Sequence, residues 1–598
     1  MLKHFVIVSL ICALAPMVIG ATFKAAVYEH AVHLPNISAV PMPRNQAVQA
    51  MMVNIRVYQE TARIAASMGT QIIVFPEDGI YGMYLNSREL ALPFMEYIPN
   101  ATDHWNPCKQ PNLYPNTDIQ TALSCIARDN NMYVVANMGD KQPCNGTMDP
   151  KCPNTGYYQY NTDVAYDPSG TLVAKYHKYN LFFEYQFDTP KTPDISIFDT
   201  PFGRFGLFTC FDVLFEHPPI DLICRHNISN IAFPTAWMDV GPFFTSIQFH
   251  SSFALGLGVN FLGANIHLPS MRFHGSGIYT PQGAAGYYYN TSNDNGGQLI
   301  VREIPVVQHP NDAACFGDRK TVSEGLSLRP GTESQTPHLA ANANEPEFTA
   351  VLFHDLHSLV KLHPGVGNAS VCNNKLCCHV AYNIKETSSI VTHQKRKHAS
   401  NDLHHPNYNN NNTHDVQVDN HTLPVLNSIS APEEFYALGA FDGLHTHDGN
   451  YYIQACTVIR CRRSKFNVTC TDHIDGLFKP NMRSFEISGN FSSSYLYPAV
   501  LLQGDSDFLL TDIPQSWTFS GESLRANNPL PHTLAVGAVF TCIHVIKQFS
   551  QDEEMSLTFL FNLYFIWELG KLPPPPDIYD FFIPFLYLLC MYSNFFTS

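Results

Sequence analysis

Apolar residues recur with two different periods along the first half of this chain, and the switches between them predict an ordered series of elements. The stretch "TFKAAVYEH" (22–30) reads as a first strand. In 45–69, "NQAVQAMMVNIRVYQETARIAASMG", the residues Val48, Met52, Ile55, Ala62 and Ala66 fall at helical spacing, and Gly69 is a stop signal. The run "QIIVF" (71–75) is continuously apolar and ends at Pro76, as a buried strand does. A second helix follows in "DIQTALSCIARDNN" (118–131) and a strand in "MYVVANMG" (132–139). "TDVAYDPSGTLVAKYHK" (162–178) reads as two strands joined by the turn Asp167-Pro168-Ser169-Gly170. Three more strands are expected in "RFGLFTC" (204–210), "ISNIAFP" (228–234) and "VNFLGANI" (259–266). Strands alternating with amphipathic helices over 22–305 predict an α/β fold whose helices cover a largely buried sheet.

The pattern changes after residue 310. Residues 311–346 are polar and rich in turn formers, and read as a linker. From 347 to about 530 the chain breaks into short strands with turns: "EFTAVLFHDL", "YALGAFDGLH", "NYYIQACTVIR", "FEISGNF" and "YLYPAVLL". This predicts a β-rich second domain. It is interrupted by a His/Asn-rich low-complexity insertion, 393–421, that has too few apolar residues to bury. Residues 531–598 form a hydrophobic tail of foreign composition. Its apolar runs fall short of the roughly 20 residues of a comfortable membrane span, and a C-terminal lipid-anchor signal is the reading that would give it a purpose.

A chain of 598 residues exceeds one core and agrees with two domains plus appendages. Its formal charge of −16, with only 35 Lys and Arg, argues against nucleic acid as a partner. The start supplies an address. Lys3 and His4 precede the apolar run "FVIVSLICALAPMVI", and Val18 and Gly20 stand before Ala21, so residues 1–20 read as a cleaved secretory signal. Sequons at Asn36, Asn100, Asn145, Asn227, Asn290, Asn368, Asn411, Asn420, Asn467 and Asn490 are candidate glycosylation sites on an exported chain.

Export changes how the 16 cysteines are read. The close spacings Cys372, Cys377, Cys378 and Cys456, Cys461, Cys470 could be metal sites, but an oxidising compartment favours disulfides. Cys12 leaves with the signal, and Cys542 and Cys590 belong to the tail. If Cys210 is also unpaired, the other cysteines can pair off completely.

That arithmetic draws attention to Cys210. Three places put a reactive side chain just after an apolar strand, where ligand sites of open α/β sheets gather. "IIVFPEDGIYG" presents Glu77. "VAKYHKYNLFFEYQF" presents Lys178 and, six residues on, Glu184. "GLFTCFD" presents Cys210. A thiol, a carboxylate base and an ammonium form a toolkit for covalent attack on a carbon–nitrogen bond. The carboxylate takes the thiol proton and later returns it to the leaving amine. The ammonium stabilises the oxyanion and lowers the thiol's pKa. Glu184 is expected to orient Lys178 or the attacking water. No metal or other cofactor is called for.

"FPEDGIYG", "YHKYNLF" and "GLFTCFD" resemble the motifs of the nitrilase (carbon–nitrogen hydrolase) superfamily. More narrowly, "CPNTGYYQYNTDVAYDPSG", "FPTAWM", "NFLGANIH" and "YALGAFDGLH" are similar to its vanin/biotinidase branch. The resemblance runs over roughly 22–530. It implies an αββα sandwich over residues 21–310, two stacked sheets between helix layers, followed by a β-rich C-terminal base domain. It further implies Glu77 as proton acceptor, Lys178 as stabilising cation and Cys210 as nucleophile. The implied activity is that of a secreted or surface-attached amidase. Its small-molecule substrate would be pantetheine, with biotinyl-lysine amides as the alternative and a non-catalytic adhesion or binding glycoprotein as a third possibility. "PTAWMD" (234–239) and "FFTSIQFHSS" (243–252) are the expected lining of the acyl pocket. Oligomeric state has no signature in the sequence.

Overall fold

The computed structural model describes residues 21–543 except 36–39, 294–295, 311–314, 316–346, 387–432, 448, 465–466, 472–479, 494, 504–507, 511–515, 522 and 527–533; for 534–543 it describes the backbone alone. The expected signal, the low-complexity insertion, the sequons at Asn36, Asn411 and Asn420, and the tail after 543 lie outside the described residues. So does the expected linker, apart from Cys315.

Twelve strands of the N-terminal part build two six-stranded sheets. The first contains β1 (Thr22–Glu29), β2 (Ile72–Val74), β3 (Tyr133–Pro143), β4 (Tyr157–Tyr166), β5 (Leu172–His177) and β12 (Gln298–Pro305), in the order β12-β1-β2-β3-β4-β5. The second contains β6 (Ile197–Thr200), β7 (Gly203–Leu207), β8 (Asn230–Thr235), β9 (Asn260–Asn265), β10 (Ser276–Thr280) and β11 (Gly283–Tyr288), in the order β11-β10-β9-β8-β7-β6. Each sheet has a parallel centre, β1-β2-β3 or β7-β8-β9, flanked by antiparallel strands.

The continuous apolar runs have a direct explanation in these layers. In β1 and β2, Phe23, Ala25, Val27, Ile72 and Val74 join the core that includes Phe205, Leu207 and Ile231 of the second sheet. Their alternating neighbours Ala26, Tyr28 and Ile73 face helices α1 (Arg44–Ser67) and α2 (Asp118–Asn130). A strand buried on both faces has no polar side to show. Gly69 follows α1 with φ +78, the left-handed conformation that ends a helix. The buried stripe of α1 is Ala47, Met51, Ile55, Tyr58, Ala62 and Ala65. The predicted Val48, Met52 and Ala66 sit at its half-buried margin, because the tyrosine and small residues pack deepest.

Helix α3 (Ser246–Leu257) had no apolar stripe to predict it. Nearly every residue in it is buried, the polar Ser246, Gln248, His250, Ser251 and Ser252 included, so it has no solvent face to set an amphipathic rhythm. It runs between the second sheet and the β-rich part. At Gly256, a Cβ would meet the backbone oxygen of Leu496 at 2.2 Å, so only glycine permits this approach.

Among the described residues the β-rich part has an eight-stranded and a five-stranded sheet enclosing a separate core with Val360, Leu362, Leu438, Val458 and Ile487. Its strands reach 13 residues, in Glu433–His445 and Tyr451–Arg463, longer than the short strands expected. Aromatic contacts join it to the sandwich: Phe244 with Phe353 (4.6 Å), Phe211 with Tyr451 (5.9 Å) and Phe253 with Tyr497 (5.4 Å). All described residues belong to one compact unit. No helix among them is long and apolar enough to cross a membrane.

Among the described residues there are six disulfides: Cys108–Cys125, Cys144–Cys152, Cys224–Cys315, Cys372–Cys377, Cys378–Cys456 and Cys461–Cys470. The close C-terminal cysteines are therefore bonded to sulfur rather than poised for metal. Cys210 is the free cysteine among the described residues, and it is buried.

Candidate active site

Cys210 does not continue its strand. β7 ends at Leu207, and Cys210 opens a short 3-10 helix, Cys210–Leu214, with φ +48. A left-handed backbone is uncommon for a residue with a side chain and persists only where the surroundings fix it. Here they do. Thr209 donates its hydroxyl to Asp163 Oδ2 (2.6 Å) and its N–H to Asp212 Oδ2 (3.1 Å). Asp212 also accepts from the Tyr176 hydroxyl (2.8 Å) and from the N–H and Nδ2 of Asn180 (2.8 Å each). The residues on either side of the cysteine are thus tied to β4 and to the segment after β5. Burial pushes the Asp212 carboxyl up to about 6 despite these donors, and holds Asp163 well above the usual carboxylate range.

Glu77 lies three residues beyond β2 and Lys178 directly after β5. Both are 2% exposed. Lys178 Nζ donates to Glu77 Oε1 (2.7 Å) and to Glu184 Oε2 (2.6 Å). Asn161 on β4 donates Nδ2 to Glu77 Oε1 (2.8 Å) and to Glu184 Oε1 (2.6 Å), and its carbonyl accepts from the Lys178 N–H (2.8 Å). The Ala236 N–H, just past β8, donates to Glu77 Oε2 (2.8 Å). Glu77 is thereby fixed by both sheets. Of the two expected roles for Glu184, the geometry supports orienting Lys178.

Burial alone would lower the Lys178 pKa, but Glu184 and Glu77 outweigh it and hold the ammonium well above its usual range. Burial also raises the Glu184 carboxyl, with Lys178 opposing. For the thiol, burial acts first and the Glu77 charge adds to it; Lys178 and the Thr235 hydroxyl pull the other way and do not prevail. The Cys210 pKa therefore lies well above that of a free thiol. The expectation that Lys178 lowers it holds for that one contribution and fails for the sum. The sulfur rests as a thiol and needs a base at the moment of attack.

Cys210 opens onto a cleft of about 50 Å³ lined by Phe182, Phe211, Trp237, Met238, Phe244 and others. "PTAWMD" contributes Ala236, Trp237 and Met238 to this lining, as expected. Of "FFTSIQFHSS" only Phe244 is in this lining; from Ser246 onward the stretch belongs to α3. A larger depression of about 760 Å³ between α1 and α2 is remote from these groups. Among the described residues no cluster of His, Cys, Asp and Glu has the arrangement of a metal site. Of the described sequons, Asn100, Asn145, Asn227, Asn368, Asn467 and Asn490 are exposed and Asn290 is half-buried.

Residues 37–225 match the carbon–nitrogen hydrolase family and residues 347–534 the vanin C-terminal domain. Over 482 residues the chain is 41% identical to a pantetheinase of Canis lupus familiaris, covering 80% of this chain and 82% of that one. The chain belongs to the vanin/biotinidase branch of the carbon–nitrogen hydrolases. Other members of this branch are a Homo sapiens pantetheinase, 39% identical over the same shares, and a Rattus norvegicus biotinidase, 36% identical over 504 residues (81% and 86%). An amidase from Nesterenkonia sp. aligns at 18% identity and a TM-score of 0.34, covering 49% of this chain and 93% of that one. As a carbon–nitrogen hydrolase of the vanin/biotinidase branch, the chain acts on amide bonds of small molecules.

Several groups around the triad escaped the sequence analysis. Asn161 and Asp163 had a signal: two polar residues in the buried strand "YNTDVAY", where apolar ones are the rule. Asp212, beside the cysteine, had one too. Phe353 and Tyr451, which complete the cleft from the β-rich part, had none, since nothing in the chain marks them as neighbours of Cys210.

Proposed function

We propose that this enzyme hydrolyses pantetheine to pantothenate and cysteamine through a thioester on Cys210. The observation that carries this reading is the convergence of Lys178 and Glu77 beside a buried cysteine left out of six disulfides. Glu77 accepts the thiol proton as the sulfur bonds to the amide carbon. An ammonium has three N–H donors. Glu77 and Glu184 occupy two, which leaves the third for the oxyanion. Collapse of the tetrahedral adduct breaks the carbon–nitrogen bond, and the departing amine takes the proton from Glu77. Water then gives a proton to Glu77 and attacks the thioester. The acid leaves, and the proton returns to sulfur.

The pantetheinase relatives at 39–41% identity favour pantetheine; the biotinidase relative at 36% keeps biotinyl-lysine as the second candidate. The disulfides, the apolar leader and the sequons support secretion or display at the cell surface, the latter if the hydrophobic C-terminus signals a lipid anchor. Purified enzyme offered pantetheine and biocytin side by side tests the substrate. Release of cysteamine with no release of lysine supports the proposal, and the reverse refutes it. Cys210→Ala must abolish whichever activity is found.

A further inference from the structure

The cleft over Cys210 is capped by the β-rich part, and the cap is built at some energetic cost. Strands Phe348–Leu352 and Asp355–Leu362 are joined by a two-residue turn, Phe353–His354. Both residues have positive φ, 50° and 66°. Two-residue hairpins with this backbone favour Asn-Gly, and a bulky aromatic there is an outlier. Strain of this kind persists where the surrounding structure over-determines it, and it gathers at ligand-binding sites. The Phe353 ring is clasped on two sides. It meets Phe244 at 4.6 Å and stacks on His445 at 4.5 Å and 16°. His445 is fully buried, and its Nδ1 lies 2.8 Å from Asp355 Oδ2. Tyr451 packs on His445 (4.8 Å), on Phe211 (5.9 Å) and on Phe215 (6.2 Å), beside the nucleophile's helix. Phe353 and Tyr451 both line the cleft.

The cleft is a small one, and its aromatic lining is Phe182, Phe211, Trp237, Phe244, Phe353 and Tyr451. An acyl chain longer than the scissile amide must pack against these rings. We infer that Phe353 and Tyr451 are specificity-determining residues that read the acyl chain beyond the scissile amide, with the His445–Asp355 pair positioning Phe353. The β-rich part thus selects the substrate, while the sandwich supplies the chemistry. This rests on the proposed amide hydrolysis at Cys210.

The test compares pantetheine with N-acetylcysteamine, which has the same leaving group and a truncated acyl chain. The variants are Phe353→Gly, which removes the ring while relaxing the left-handed turn, and Tyr451→Leu. The expected result is a fall of tenfold or more in kcat/KM for pantetheine, mainly through KM. kcat/KM for N-acetylcysteamine should fall several-fold less than for pantetheine, so that the preference for the longer acyl chain shrinks, with the rate of Cys210 alkylation by iodoacetamide read alongside as the check on the thiol itself. An unchanged preference, or parallel loss on both substrates and in alkylation, would overturn the inference. A wild type inert toward pantetheine refutes the substrate assignment instead. The same variants are then read on biocytin against N6-acetyl-lysine, where an unchanged preference overturns the inference.

Discussion

Replacing Lys178 by Met separates what the ammonium does for the fold from what it does for the reaction. The ammonium bridges two buried carboxylates at 2.7 and 2.6 Å. Each charge-assisted bond contributes about 1.5–3 kcal/mol. Removing the shared cation also leaves Glu77 and Glu184 facing each other out of water. Breaking a buried pair by deleting one partner costs about 3–5 kcal/mol, and we expect Lys178→Met to lose that much stability. Lys178 opposes the rise that burial and the Glu77 charge impose on the Glu184 carboxyl, so without the cation that rise grows and protonation relieves the variant. The deficit relative to wild type must therefore shrink as pH falls from 8 to 5. Adding Glu184→Gln removes one of the opposed charges and should recover part of the stability but none of the activity. Urea unfolding with disulfides intact, followed by fluorescence of the cleft residue Trp237, reads the stability; cysteamine release reads the reaction, expected to fall by about 10²–10³ for loss of an oxyanion donor. A deficit below about 1 kcal/mol that ignores both pH and Glu184→Gln would refute the picture of an ammonium holding apart two buried charges.

Other consequences are equally open to measurement. Asp212→Asn, which weakens the anchor of the Cys210 turn, should lower kcat about tenfold or more with little change in KM, as steady-state kinetics would show. Cys210 alkylation should rise with pH and stay incomplete near neutrality, because burial and Glu77 keep the sulfur protonated; full thiolate absorbance at pH 7 would contradict this. His177 bridges Asp140 (2.9 Å) and Asp194 (3.0 Å); burial lowers its pKa, but these bonds prevail and raise it. Its stabilisation is present below its unfolded pKa of about 6.5 and is lost as pH rises through the higher folded value, so His177→Asn should flatten the fall in Tm on the alkaline side. Removing Cys224–Cys315, which spans 91 residues, should cost about 2 kcal/mol more than removing Cys144–Cys152, which spans 8, if closure entropy governs both.

The parts of the fold that were legible in the sequence are those whose surroundings impose a period. α1 and α2 each bury one face, and β1 and β2 bury both, so their patterns are plain. α3 is enclosed on all sides and buries polar and apolar residues alike, so its sequence carries no helical rhythm. In the β-rich part, the strands Glu433–His445 and Tyr451–Arg463 extend beyond the apolar stretches that mark them, because their outer ends carry charges, Glu433 and Glu434 in one and Arg462 and Arg463 in the other. The candidate residues Glu77, Lys178 and Cys210 stood out because strand ends are punctuated by proline, charge or cysteine. Their supports stood out less. Asn161 binds two carboxylates at once, a role set by where β4 lies between β3 and β5. The thiol's net pKa could not be read from its neighbours' signs, because the dominant contribution is burial, a property of the whole packed structure. Phe353 reaches the cleft only through the docking of one part of the chain on another.

Rapid acid quench followed by peptide mass spectrometry tests the central claim most directly. Enzyme mixed with pantetheine and quenched before steady state should carry a pantothenoyl group on the peptide containing Cys210, formed in step with cysteamine release and absent from Cys210→Ala. Turnover with no acylated peptide, or turnover that survives in Cys210→Ala, would contradict the account.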